Sequence, residues 1–142
     1  MFTLAHTAAV AGVATGFTLP ASDVIEPLIA ASIAVAGWGA YRQIPMLHAG
    51  PWVLGFGFVH GLGFAEGLSR LEPTFSQLFV SVLAFNLGVE AAQVLAVLVV
   101  LGLLHAATRL GFDAERLVRS CALGVTAIGV AWTVLRLTLL FG

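Results

Sequence analysis

Residues 78–105 read "LFVSVLAFNLGVEAAQVLAVLVVLGLLH", a run of 28 residues whose only carboxylate is Glu90. No soluble helix of that length can hide such a surface on every side. A bilayer core about 30 Å thick, by contrast, is crossed by about 20 mostly apolar residues in a helix. Four further stretches have the same character, so the sequence predicts helices at 2–18, 24–41, 52–68, 78–105 and 117–141. The breakers and charges fall between them, in "LPASD", "RQIPMLHAGP", "SRLEPTFS" and "ATRLGFDAER". The fold class that follows is all-α: a polytopic transmembrane helix bundle of about five helices, forming a single transmembrane domain over 1–142.

Composition agrees with that class and excludes others. Of 142 residues, 60% are hydrophobic and 9% charged, where a soluble domain carries about a quarter charged residues. All six basic residues are arginines, at 42, 70, 109, 116, 119 and 136, and the net charge is −1. With no basic run there is no nucleic-acid footprint. The single cysteine, Cys121, lies in an apolar run and reads as a small core residue. The first segment lacks the basic n-region of a signal peptide and reads as a retained helix.

Arginine placement sets the orientation. Arg42, Arg109, Arg116 and Arg119 lie in or beside the loops at 42–51 and 106–116, whereas the opposite loops hold only Arg70. The positive-inside rule therefore puts those two loops and the N-terminus in the cytoplasm of an inner-membrane protein. Arg136 falls near the outer end, beside Trp132, where it can snorkel to the interface.

Polar groups inside spans are then the informative residues, because an ionisable side chain facing lipid costs roughly 2.5–3.5 kcal/mol or more. Asn86, Glu90 and Gln93 stand at i, i+4 and i+7, on one helix face. Amides alone would suit interhelical glue, but a deep carboxylate among them points to function. In "FGFVHGLGFAEGL" (56–68), His60 sits near mid-span with Gly57, Phe64 and Gly67 close to its face. Glycines there let a neighbouring backbone approach, so His60 is expected to face a helix, with Glu90 as its expected partner. It could also merely donate to a backbone carbonyl. Glu66 lies about 240° further round, at about 100° per residue, and falls outside the site. In the first segment Thr3, His6 and Thr7 share a face, so His6 is a candidate ligand, proton carrier or interfacial residue. Asp23 and Glu26 in "PASDVIEPL" read locally as acids at a helix start, with Pro27 in the first turn.

Imidazoles with one carboxylate and nearby amides suit a borderline divalent ion such as Ni²⁺, Zn²⁺ or Cu²⁺. The same groups can relay protons. A carrier exchanging metal for protons would use both properties. An intramembrane metal-dependent hydrolase is the enzymatic alternative, and a non-transporting membrane assembly partner is the structural one.

Four motifs in order, "FTLAHT" (2–7), "VIEPLIAASI" (24–33), "FGFVHGLGFA" (56–65) and "FNLGVEAAQ" (85–93), resemble the HupE/UreJ-type membrane proteins. The match is to the branch with F-T-x-A-H-S, V-E-x-L-I-A-L-S-I, H-G-x-G-F-A and F-N-x-G-V-E-x-G-Q. Thr7 and Ala92 stand where that branch has serine and glycine. The resemblance implies a hydrogenase- or urease-accessory role in nickel permeation or delivery, with a divalent metal, nickel first, as bound ion or cargo. It picks out His6, Glu26, His60, Asn86, Glu90 and Gln93; the expected roles are His60 and Glu90 as central metal ligands, His6 as third ligand or proton carrier, and Asn86 and Gln93 as the amides that orient Glu90. It also raises Glu26 from a helix-start acid to a pathway residue at the outer entrance. It further implies a preceding helix bearing a glycine–aspartate–histidine motif, which residues 1–142 do not contain. Five spans then stand where six are expected, so the expectation is either a truncated form of such a protein or a site completed by a homo-oligomer or membrane partner that supplies the missing helix.

Overall fold

The computed structural model describes residues 1–18, 22–70 and 74–141, apart from the side chains of residues 22, 46–49, 75 and 78. Residues 19–21 and 71–73, in the two loops opposite the arginine-rich ones, lie outside that description. Five α-helices and, among the described residues, no strand make up the protein: α1 (Phe2–Ala14), α2 (Ser22–Tyr41), α3 (Met46–Ser69), α4 (Phe75–Arg109) and α5 (Ala114–Phe141). By length and composition three described stretches can cross a membrane: Asp23–Tyr41, Phe79–Arg109 and Ala114–Phe141. The expected helical bundle is therefore present, with boundaries that differ in instructive ways.

α1 is shorter than the apolar run at 2–18 suggested. Phe17 N–H donates to Gly12 O at 2.9 Å and Gly16 N–H to Val13 O at 3.1 Å, with Gly16 at φ 104°. This is a Schellman ending, in which glycine takes the left-handed residue after the cap. The same pattern closes α4 at Gly111 (φ 86°) and α2 at Gln43 (φ 53°), a non-glycine residue in a region that costs side chains about 1–2 kcal/mol. α3 begins six residues before Trp52 and runs through Pro51. Only one intrahelical bond, to Leu47 O, is forfeited there, near the start of the helix where donors are already short of partners. α2 starts at Ser22, which puts Pro27 inside the helix rather than in its first turn. α4 starts at Phe75 because Thr74 and Gln77 form a capping box.

Side-chain size decides which helices pair. A Cβ on Gly61 would lie 2.5 Å from His6 O and 2.8 Å from Ala9 Cβ, and one on Gly57 would collide with Phe2 O. α1 thus lies directly on the backbone of α3. α2 and α5 form a second close pair: a Cβ on Gly37 would meet Thr126 Oγ1 at 2.7 Å, and one on Gly129 would strike the Ala34 backbone. Gly63 receives Ile25 and Ile29 of α2, and Ala9, Ile25 and Leu62 form the buried core where α1, α2 and α3 meet. α4 leans on α1 and touches α5 only slightly. Elsewhere the surface is apolar: Leu98, Leu103, Ile128 and Leu135 are all more than half exposed. Such a surface belongs in lipid, where close van der Waals packing at small residues, rather than apolar burial, holds helices together.

Overpacking a tight contact costs about 1–3 kcal/mol. Gly61→Ala is therefore expected to lower the unfolding midpoint of the purified protein in bicelles. Gly55→Ala, where a Cβ meets nothing within 4 Å, is expected to leave it unchanged or raise it slightly.

Candidate functional site

The contact of α1 on α3 determines what surrounds the two histidines. Gly57 and Gly61 flank His60 on α3, and the backbone they admit belongs to Phe2 and His6 of α1. The close neighbour of His60 is therefore α1, in place of the expected Glu90 of α4. The Phe2 ring bridges the two imidazoles, 6.2 Å from His6 and 5.6 Å from His60 between centroids. The two imidazoles thus share one aromatic neighbour.

His60 is oriented by its own helix. Its Nδ1 lies 2.8 Å from Phe56 O, and a carbonyl can only accept, so Nδ1 carries the proton. The lone pair is then on Nε2, which is the arrangement of a histidine presented to a metal with its other nitrogen anchored. The carbonyl-donating role and the ligand role foreseen for this residue are thus compatible in one tautomer.

His6 is 3% exposed and is enclosed by aromatic rings: Phe85 stacks on it at 5.0 Å and Phe64 lies tilted at 5.5 Å. Phe64 and Phe85 stack on each other at 3.9 Å, joining α3 to α4. Within this cage His6 Nδ1 has no well-aligned hydrogen-bond partner among the described residues. Asn86 arrives from α4 and donates Nδ2–H to Thr7 Oγ1 at 2.7 Å, while Thr7 donates its own proton to Thr3 O at 2.8 Å. That sequence of donors fixes the amide: nitrogen toward Thr7, and Oδ1 left buried without a well-aligned partner among the described residues. Leaving a buried acceptor or donor unpaired costs about 1–3 kcal/mol; the His6 and Asn86 side chains lie within reach of each other, so a small shift pairs these two atoms directly, or a shared ligand pairs both.

The remaining candidates lie apart from this hub. Glu90, one turn on from Asn86, is exposed, as is Gln93, and among the described residues neither forms a hydrogen bond or ion pair. Glu26 is carried by the turn of α2 that buries Ile25 against Ala9 and Leu62, and it pairs with Arg136 of α5 at 2.8 Å. Glu66 pairs with Arg70 at 2.7 Å, toward the loop end of α3. Among the described residues, no three His, Cys, Asp or Glu side chains come together as a metal cluster. Sequence reasoning missed the aromatic cage and the Thr7 anchor. The signals were present in Thr3 and Thr7 at i and i+4, in Phe64 four residues after His60, and in Phe85 next to Asn86.

The motifs that carry these residues can be compared with known proteins. The model of the family described as "HupE / UreJ protein" matches residues 1–136. No curated protein and no solved structure matches the chain. Since the match spans nearly all of the sequence, including every residue of the hub, the chain belongs to the HupE / UreJ family.

Proposed function

We propose that this membrane protein moves or delivers a divalent metal ion, nickel first, across the inner membrane, with His6, His60 and Asn86 forming the hub that the ion visits. Membership of the family implies a nickel or cobalt accessory or transport role in general. The observation that supports the finer reading is that His6 Nδ1 and Asn86 Oδ1, on side chains within reach of each other, are buried and form no well-aligned hydrogen bond among the described residues, beside a histidine whose tautomer is fixed by Phe56 O. Imidazole nitrogens with an amide oxygen are suited to borderline divalent ions. Two imidazoles and neutral oxygens bind such an ion less tightly than a closed thiolate or carboxylate cage does, as cargo that must leave again requires.

Glu90 then serves as a step on the route rather than as a permanent ligand. It is the one carboxylate of α4 and stands one turn from Asn86, on the face that carries the amide. A carboxylate there attracts a cation. Glu26 contributes at the other end of the route as part of the ion pair with Arg136, which a passing cation would loosen by competing for the carboxylate.

The exposure of Glu90 and Gln93 on α4 favours one second reading, in which the polar face docks a second membrane subunit. In that case Glu90→Gln weakens co-purification of the subunit and leaves metal handling untouched.

Metal uptake into proteoliposomes tests the transport reading. His6→Ala and His60→Ala are expected to lower the initial rate at least tenfold, and Glu90→Gln to lower it severalfold with the protein still folded. Equal flux in all four proteins would overturn the proposal.

Thr7→Val separates the hub from mere packing. It removes the acceptor that orients Asn86, and losing an outer partner of a ligand costs about 10–100-fold in metal affinity. Titration calorimetry with Ni²⁺ is expected to show that loss with little change in unfolding midpoint. Affinity is also expected to fall on acidification in wild type, because protons and metal compete for the same imidazole nitrogens.

A further inference from the structure

Next to the connection at 42–45, α2 and α3 line an apolar groove of about 420 Å³. Its walls include Val35, Trp38 and Ile44 on one side and Trp52, Val53 and Phe56 on the other. Both indoles are open to the surroundings, Trp38 at 47% and Trp52 at 57% exposure. Two tryptophans at one end of a membrane bundle mark the depth of the headgroups, where an amphipathic ring is most stable.

Beside this groove stands an arginine, Arg42. The Arg42 guanidinium lies over the Trp38 ring, 5.9 Å from its centroid, close enough for a cation–π contact. Among the described residues Arg42 forms no ion pair. Glu115, which accepts from Gln43 Nε2 of the groove wall at 3.3 Å, is already paired with Arg119, whose NH2 lies 3.0 Å away. The fold therefore presents an apolar slot whose wall residue Trp38 carries on its ring a guanidinium that forms no ion pair among the described residues.

We infer that this groove holds one phospholipid with an anionic headgroup, its acyl chain along Trp38, Trp52 and Phe56 and its phosphate on Arg42. The occupant follows from the two halves of the site together. The slot opens onto the lipid-facing surface of the bundle, so hydrocarbon is what reaches it. The unpaired cation at the headgroup level then selects for negative charge. Positive-inside orientation puts Arg42 on the cytoplasmic leaflet, whose anionic lipids attract arginine side chains at the surface. A free phosphate would have no use for the slot. The groove shares Phe56 with the hub, whose His60 is held by the Phe56 carbonyl, but the inference does not depend on the transport reading.

The two indoles supply the probe. In a Trp132→Phe background, fluorescence reports only Trp38 and Trp52, and lipids brominated on their acyl chains quench an indole they touch. The protein is reconstituted in phosphatidylcholine vesicles containing either brominated phosphatidylglycerol or brominated phosphatidylcholine at equal mole fraction. Quenching is expected to give a relative affinity about fivefold higher for the glycerol lipid, about 1 kcal/mol at 1.4 kcal/mol per tenfold. Arg42→Gln is expected to bring that ratio to about one, Arg42→Lys to keep most of it, and Arg109→Gln to leave it unchanged. Equal quenching by both lipids in the Arg42 protein would overturn the inference, and would be the result if a protein segment filled the groove. So would a preference that survives Arg42→Gln, or one that Arg109→Gln abolishes equally.

Discussion

Everything in the polar interior depends on the absence of two side chains. Gly57 and Gly61 let the α1 backbone lie against α3, and both histidines stand on that line of contact. In water such an approach would be one of several ways to bury apolar area. In lipid, which is as apolar as leucine, helices associate through close packing and interhelical hydrogen bonds. A methyl group at Gly61 would push on His6 O and Ala9 Cβ at once, so the geometry of the site and the stability of the bundle share one determinant. The same device at Gly37 and Gly129 locks α2 to α5.

The polar atoms fall into two sets. One set is fully assigned: Thr7 to Thr3 O, Asn86 Nδ2 to Thr7, His60 Nδ1 to Phe56 O. Each of these bonds has a defined direction, so each fixes the orientation of a side chain in a medium that offers no water for re-pairing. The other set, His6 Nδ1 and Asn86 Oδ1, is buried and forms no well-aligned hydrogen bond among the described residues. Atoms of the first set aim those of the second. Farther out, Glu26 and Arg136 neutralise each other across α2 and α5, which lets two charges sit on lipid-facing helices at a much lower cost than either would incur alone.

Much of this was legible in the sequence. Apolar run length gave five helices, and the i, i+4, i+7 spacing of Asn86, Glu90 and Gln93 gave a polar face on α4. The four ordered motifs gave the family that the comparison with known proteins bears out. Some misses were of signals present but outweighed. Thr15–Gly16 is a readable helix stop lost inside an apolar run, Thr74 and Gln77 spell a capping box, and Pro51 looked like a boundary although proline is tolerated early in a helix. Others could not be read. That His60 meets α1 rather than Glu90, and that Glu26 meets Arg136 across 110 positions of chain, are consequences of which helices pair. Periodicity along one helix carries no information on which neighbour its small residues admit.

α4 has a geometric consequence of its own. Its 35 residues measure about 52 Å at 1.5 Å per residue, against a hydrocarbon layer of about 30 Å. No upright helix of that length fits, so α4 must lean or project, and with α1 as its main neighbour little of the protein dictates the angle. Membrane thickness then does so instead. The depth of Glu90 below the headgroups, and with it the electrostatic cost of its charge, becomes a property shared between the chain and the bilayer that surrounds it.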